Sequence, residues 1–118
     1  MRNPDLIAAL TAVALLASGG AAKAQDIYIG TVAVEKDVVV LTRCDLTQNR
    51  YVLRDRKGEA RRPVADLRER LKRLRAPVYV EVIGEYAEQG EDNALDVIGL
   101  ENLEAGKSCH LTDALEAR

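Results

Sequence analysis

Two cysteines, Cys44 and Cys109, constrain this chain more than any other feature, because they bracket most of it between them. In an oxidising compartment such a pair is expected to close one disulfide, so the compartment is the first question. Residues 6–17 form an apolar run broken only by Thr11, with Arg2 ahead of it and small residues after it. The triplet Ala22-Lys23-Ala24 has the small-x-small form that a signal peptidase accepts, which predicts a signal peptide over residues 1–24 and cleavage before Gln25. An apolar run of that length falls short of the roughly 20 residues a membrane helix needs. Export followed by release as a soluble product is the expectation.

Taking 24 residues from 118 leaves 94, residues 25–118, which is one domain. Domains of that size close a core with little surplus, so a covalent staple matters. A Cys44–Cys109 bridge would close a loop of 66 residues counted inclusively. Chain entropy assigns such a loop about 4 kcal/mol, a large share of a net stability on the order of 5–15 kcal/mol.

The hydrophobic pattern predicts five strands and one helix. Ile27 to Val34 is β-branched and reads as a first strand, followed by a polar turn at Glu35-Lys36-Asp37. Val38 to Thr42 is nearly continuous and apolar, the signature of a strand covered on both faces. Tyr51 to Arg54 forms a short third strand. From Pro63 the period changes: Val64, Leu67, Leu71 and Leu74 share one helical face, with Pro63 at the first position and Pro77 beyond the end. Asp66–Arg70 and Glu69–Arg73 are expected as i,i+4 pairs.

Alternation then resumes, with Val78, Val80 and Val82 on one side of a fourth strand and Gly84 marking a bulge or bend. An acidic turn over residues 87–93 leads to a fifth strand from Leu95, interrupted at Gly99. The order β-β-β-α-β-β, with glycines where strands must bend, is that of the OB-fold, a five-stranded Greek-key barrel with one helix. An open α+β sheet and another small barrel are the competing arrangements.

Three stretches carry a family resemblance: VVVLTRCDLTQNRYVLRD (residues 38–55), APVYVEVIGEY (76–86) and LDVIGLENLEAGKSCHL (95–111). They resemble the C-terminal OB-fold domain of NlpE-type envelope lipoproteins, with a cysteine after the second strand, a Pro-Val-Tyr-Val fourth strand and a fifth strand running into a second cysteine. The resemblance implies a Cys44–Cys109 disulfide and a periplasmic location. The chain departs from that family in having no lipid-modified cysteine after the apolar run and no N-terminal domain with a Cys-x-x-Cys motif. Adhesion and copper-stress signalling are therefore not carried over.

Charge is segregated along the chain. Residues 43–75 hold 12 basic and 5 acidic side chains, whereas residues 81–116 hold 1 basic and 10 acidic. Arg50, Arg54, Arg56, Lys57, Arg61 and Arg62 are a candidate anion or partner patch for lipid headgroups or an acidic protein. The alternative is that basic and acidic strands lie side by side and screen each other. The loops that frame an OB ligand face carry Glu35, Asp37, Glu88, Glu91 and Asp92 against Lys36 alone, which repels phosphate backbones. Nucleic acid is not an expected partner, since four tyrosines and no Phe or Trp offer few stacking platforms. Residues 88–93 lack the alternating ligands of a calcium loop. Cys44, Cys109 and His110 fall short of a metal site once the thiols pair, so no metal or cofactor is expected. Ser108, His110 and Asp113 have the letters of a hydrolase triad but stand too close in sequence to converge. The resulting expectation is a non-catalytic exported binding module of the bacterial cell envelope, its partner another envelope protein or an acidic surface. A redox- or stress-responsive sensor using the disulfide is the alternative. A saccharide face with Tyr51 and Tyr79 as platforms is a third.

Overall fold

The computed structural model describes residues 24–111 and Leu115; residues 1–23 of the expected signal peptide (1–24) and Asp113 lie outside them. Five strands, β1 (Gln25–Glu35), β2 (Val38–Arg43), β3 (Arg50–Asp55), β4 (Val78–Gln89) and β5 (Asp92–Ala105), follow one another with a helix, α1 (Pro63–Leu71), between β3 and β4. They close into a barrel in the order β1-β2-β3-β5-β4, with β1 also paired to β4. Only β3 and β5 run parallel. This is the OB arrangement expected from the element order, held by the single Cys44–Cys109 disulfide.

Closure depends on β1 serving two partners. Residues Gln25–Val32 pair with β4 and residues Gly30–Glu35 pair with β2, so the two ladders overlap from Gly30. A Cβ at Gly30 would stand 2.1 Å from the Thr42 carbonyl oxygen, so the close approach of β2 admits no side chain there. At the β1–β2 turn Lys36 and Asp37 both take positive φ, 51° and 67°, the backbone of a two-residue primed turn.

Inward positions of every strand meet in one core. Leu41, Val80, Val82 and Leu95 are wholly buried, and Val64 and Leu67 of α1 plug the end of the barrel where β1 finishes and β4 begins. Leu71 and Leu74 pack against that core while remaining partly exposed. Pro63 sits in the first turn as expected, but the helix N-terminus is capped from elsewhere: Asp55, the last residue of β3, accepts from the Val64 and Ala65 amides at 2.8 and 3.1 Å. Both donors would otherwise lack a partner within the helix.

Several sequence expectations are corrected. Glu69 pairs with Lys72 at 3.0 Å rather than with Arg73, and Asp66–Arg70 is not an ion pair among the described residues. The hydrogen bond from Lys72 is the main reason the Glu69 carboxyl titrates below its ordinary value. Gly99 does not end β5, which runs for 14 residues, but one register shift lies beside it, where Ile83 pairs with Gly99 and Gly84 with Val97, and the other falls at Tyr79/Glu81. The acidic turn is shorter than expected, because Glu88 pairs with Asn93 and Gln89 with Asp92, leaving Gly90 and Glu91 at the tip.

The mouth opposite the helix is filled by tyrosines. Tyr28, Tyr51 and Tyr86 pair with Val82, Leu41 and Leu95, all core residues, so the pleat turns all three inward. Ring centroids lie 5.3 Å apart for Tyr28–Tyr51 and 6.4 Å for Tyr51–Tyr86, edge to face. Arg43 stacks over Tyr28 at 5.7 Å, and its hydrogen bond to Tyr51 is the main cause of its raised pKa. Burial, reinforced by Asp26, raises the Tyr28 phenol.

After β5 the chain turns at Gly106 (φ 73°) and recrosses the outside of the barrel. The Lys107 ammonium lies 4.3 Å from the ring centroid of Tyr79 on β4. His110 Nε2 lies 2.7 Å from Thr31 Oγ1 on β1, and Cys109 joins Cys44 just past β2. Residues 106–110 thus form a strap across three strands, pinned at its far end by sulfur.

Candidate functional site

An open cleft of about 380 Å³ lies on the outer face of β2 and β3. The pleat that sends Val39, Leu41 and Leu53 inward sends Val38, Val40 and Val52 outward, and these valines line the cleft. Val38 is 39% exposed. Val40 is buried, although it faces outward. An ion pair between Glu35 of β1 and Arg50 of β3 bridges the outer face of β2 beside it. β2 is therefore apolar on both faces, but its outer face is only partly covered, which corrects the expectation of a strand covered on both.

The rim is built by the two hairpin turns. The β1–β2 turn contributes Lys36, and the start of β5 contributes Asp92 and Asn93. Asn93 is held in place by the Tyr86 hydroxyl, which donates to its Oδ1 at 2.6 Å. Charges of both signs over an aliphatic floor suit a peptide-like surface. They do not make an anion trap, because Glu35 and Asp92 stand among the cations.

The six cations of the sequence-predicted patch divide among three places: Arg50 at the β2–β3 cleft, Arg54, Arg56 and Lys57 around one open pocket with Glu85 and Asp96, and Arg61 and Arg62 ahead of α1. Arg50 turns to Glu35. Arg54 donates from Nε and Nη2 to Asp96 Oδ1 at 2.8 and 2.7 Å, and Nη1 reaches Gln89 at 3.3 Å. Arg54 and Asp96 are direct partners in the parallel β3–β5 ladder, which sets a basic strand against an acidic one. Arg56 lies 3.5 Å from both Glu59 and Glu85. Lys57, Arg61 and Arg62 are exposed on the β3–α1 connection and form no ion pair among the described residues.

A second polar cluster sits on the outer face of β4 and β5. Glu81 accepts from the Tyr79 hydroxyl at 2.8 Å and from the Asn102 amide at 2.9 Å. Asn102 adopts a positive φ of 53° within the irregular stretch of the ladder. The Asn102 and Tyr79 hydrogen bonds hold the Glu81 carboxyl below its ordinary value, and the bond to Glu81 raises the Tyr79 phenol.

The tyrosines proposed as saccharide platforms are not open rings. Tyr51 is 8% exposed inside the barrel mouth, and Tyr79 is half-buried with Lys107 over its ring. The Ser108 hydroxyl accepts from the His110 amide at 3.1 Å, and the imidazole Nε2 is engaged by Thr31. Both sulfurs are consumed in the bridge, so no thiolate remains for metal or nucleophilic chemistry. Among the described residues no three of His, Cys, Asp and Glu stand close enough to hold a metal ion, and no helix is long and apolar enough to cross a membrane.

Sequence reasoning missed the cleft floor. A run such as Val38-Val39-Val40-Leu41 says that both faces of a strand are apolar, but not whether the outer face is fully covered. The signal was the position of the two charged turns, which frame the second and third strands in this order of elements.

These features define a closed OB-type barrel, stapled by one disulfide and carrying an aliphatic cleft on its second and third strands. In comparisons with known proteins, no family model, curated protein or solved structure matches the chain.

Proposed function

We propose that the chain is a non-catalytic, exported binding module of the bacterial cell envelope, and that it holds a segment of another envelope protein in the β2–β3 cleft. The observation that carries this reading is the cleft floor, where Val38 remains 39% exposed between rim groups of both signs. An aliphatic floor rewards burial of apolar side chains, and a mixed rim sets orientation. The carboxylates of Glu35 and Asp92 disfavour a polyphosphate ligand. Export is supported by the leader-like residues 1–24 and is compatible with the disulfide. The pattern shared with the C-terminal domain of NlpE-type lipoproteins supports an envelope role.

The test is site-specific photo-crosslinking in cells with the probe at position 38 or 52, and with Glu101, on the far face, as control. One protein captured from positions 38 and 52 but not from 101 is the expected result. Labelling that is equal at all three positions, or absent from 38 and 52, refutes the proposal.

One observation favours a second reading, redox-responsive sensing: the Cys44–Cys109 bridge alone ties the end of the strap to the β2 loop covalently. A bond that resists mild thiol reduction in the native protein counts against it.

A further inference from the structure

A separate groove of about 360 Å³ runs between α1 and the later part of β1. Val34, Leu71, Leu74 and Ala76 form its walls, with Arg68, Lys72 and one carboxylate, Asp37, on its rim. Val34 belongs to the inward row of β1, opposite the buried Val39, yet it is 42% exposed. Leu71 and Leu74 are also only partly buried. The groove is thus an aliphatic surface that the barrel and helix shape together without closing it.

Its surroundings are strongly basic. Residues 61–75 carry seven basic and two acidic side chains. Arg68 pairs with Asp37 at 3.2 Å and Lys72 with Glu69 at 3.0 Å, both in exposed settings where such pairs contribute little. Arg61, Arg62, Arg70 and Arg75 belong to no ion pair among the described residues. An anionic bilayer would satisfy the cations, but a planar surface cannot fill a concave aliphatic groove. Individual side chains projecting from a backbone can.

We propose that the groove between α1 and β1 docks an acidic amphipathic segment of another protein. Its aliphatic side chains enter between Val34 and the Leu71–Leu74 wall, while its carboxylates meet Arg68 and Lys72 on the rim, and the other cations of residues 61–75 add to the attraction from outside the groove. Charge steers the encounter and the aliphatic anchors supply most of the retained affinity. This is an interface distinct from the β2–β3 cleft, so the molecule would join two partners.

Selection from a displayed library of random peptides about twelve residues long, enough for anchors spaced along a groove, tests the proposal on the purified protein. Enriched peptides should be acidic and carry at least two aliphatic residues. Fluorescence anisotropy should show their affinity falling about tenfold or more with Val34→Glu and with Arg68→Glu combined with Lys72→Glu. Val38→Asp, in the other cleft, should leave it unchanged, so failure here is separable from failure there. The double substitution lies on the surface and keeps the test valid if Val34→Glu disturbs folding. Neutral or basic winners, or equal binding to the variants, overturn the proposal. So does recruitment to phosphatidylglycerol vesicles that Val34→Glu leaves intact, which would assign the cations to lipid. Self-association abolished by Val34→Glu would assign the groove to a second copy and overturns it equally.

Discussion

Replacing Cys44 and Cys109 together with alanine should cost more stability than any other surface change in this molecule. The bridge spans a sequence separation of 65 residues, from the loop after β2 to the strap after β5. Its main effect is on the unfolded chain, which loses the configurations in which these ends are apart. The loop-entropy relation gives about 4 kcal/mol at 25 °C. For a domain of this size each kcal/mol moves the melting temperature by about 4–8 °C, so a fall of roughly 15–30 °C is expected. The native barrel should survive at low temperature, because its strand ladders do not pass through the sulfurs. Urea titration followed by circular dichroism separates the two states: the midpoint should fall, and m should rise as the unlinked unfolded chain exposes more surface. Native-like ellipticity with a loss below about 1 kcal/mol would refute the entropic argument, given that the loop term alone predicts four times as much. Loss of barrel signal even without urea would instead show that the strap is an integral part of the fold.

Three further outcomes follow from single contacts. Gly30→Ala forces a Cβ onto the Thr42 carbonyl and should cost about 3 kcal/mol or more, whereas Gly99→Ala, with nothing within 4 Å, should be neutral or stabilising by up to about 1 kcal/mol; thermal melts of the two variants decide it. Asp55→Ala removes the acceptor for the Val64 and Ala65 amides and should destabilise by about 1–2 kcal/mol, with Asn restoring part of the loss in chemical denaturation. Because the folded pKa of Glu81 is lowered, its contribution is complete above its ordinary value of 4.5 and is lost as pH falls through the lower folded value. Denaturation midpoints of wild type should therefore decline more steeply than those of Glu81→Gln as the pH is taken below that ordinary value, and parallel declines would refute the assignment.

The fold was legible in the sequence because local signals agreed. Alternating valines in β4, the three-four spacing of Val64, Leu67 and Leu71 on α1 and the punctuating prolines each named one element, and their order named the barrel, although Leu74, read as the last of the helical row, falls past the end of α1. What was not legible depended on contacts remote in sequence. Asp55 caps a helix that begins eight residues later, through a connection whose path no periodicity reveals. The pairing of Arg54 with Asp96 follows from a parallel ladder between β3 and β5, which sequence order implies but side-chain composition does not. The patch was therefore readable as a run of cations and unreadable as a surface. The groove beside α1 was hidden for a similar reason: Leu71 and Leu74 have the spacing of core residues, and only the position of β1 leaves them partly open.

The aromatic inventory narrows what either surface can hold. The chain has four tyrosines and neither Phe nor Trp. Tyr28 and Tyr51 are turned into the barrel mouth, and Tyr86 joins them edge-on with its hydroxyl tied to Asn93. Tyr79 lies under Lys107 and donates to Glu81. Tyr51 reaches the lining of the β2–β3 cleft but is buried, and no aromatic residue among the described residues lines the α1 groove, so neither offers an open aromatic face, the feature by which bases and sugar rings are held on barrels of this kind. What they do offer is aliphatic surface between charged rims, valine in the cleft and valine, leucine and alanine in the groove. Binding here must come from aliphatic burial guided by charge, which is the chemistry of a protein segment. A substitution that supplied a ring, such as Val38→Trp, should accordingly weaken partner capture in the cleft by filling its floor, where a stacking site would have been strengthened by it.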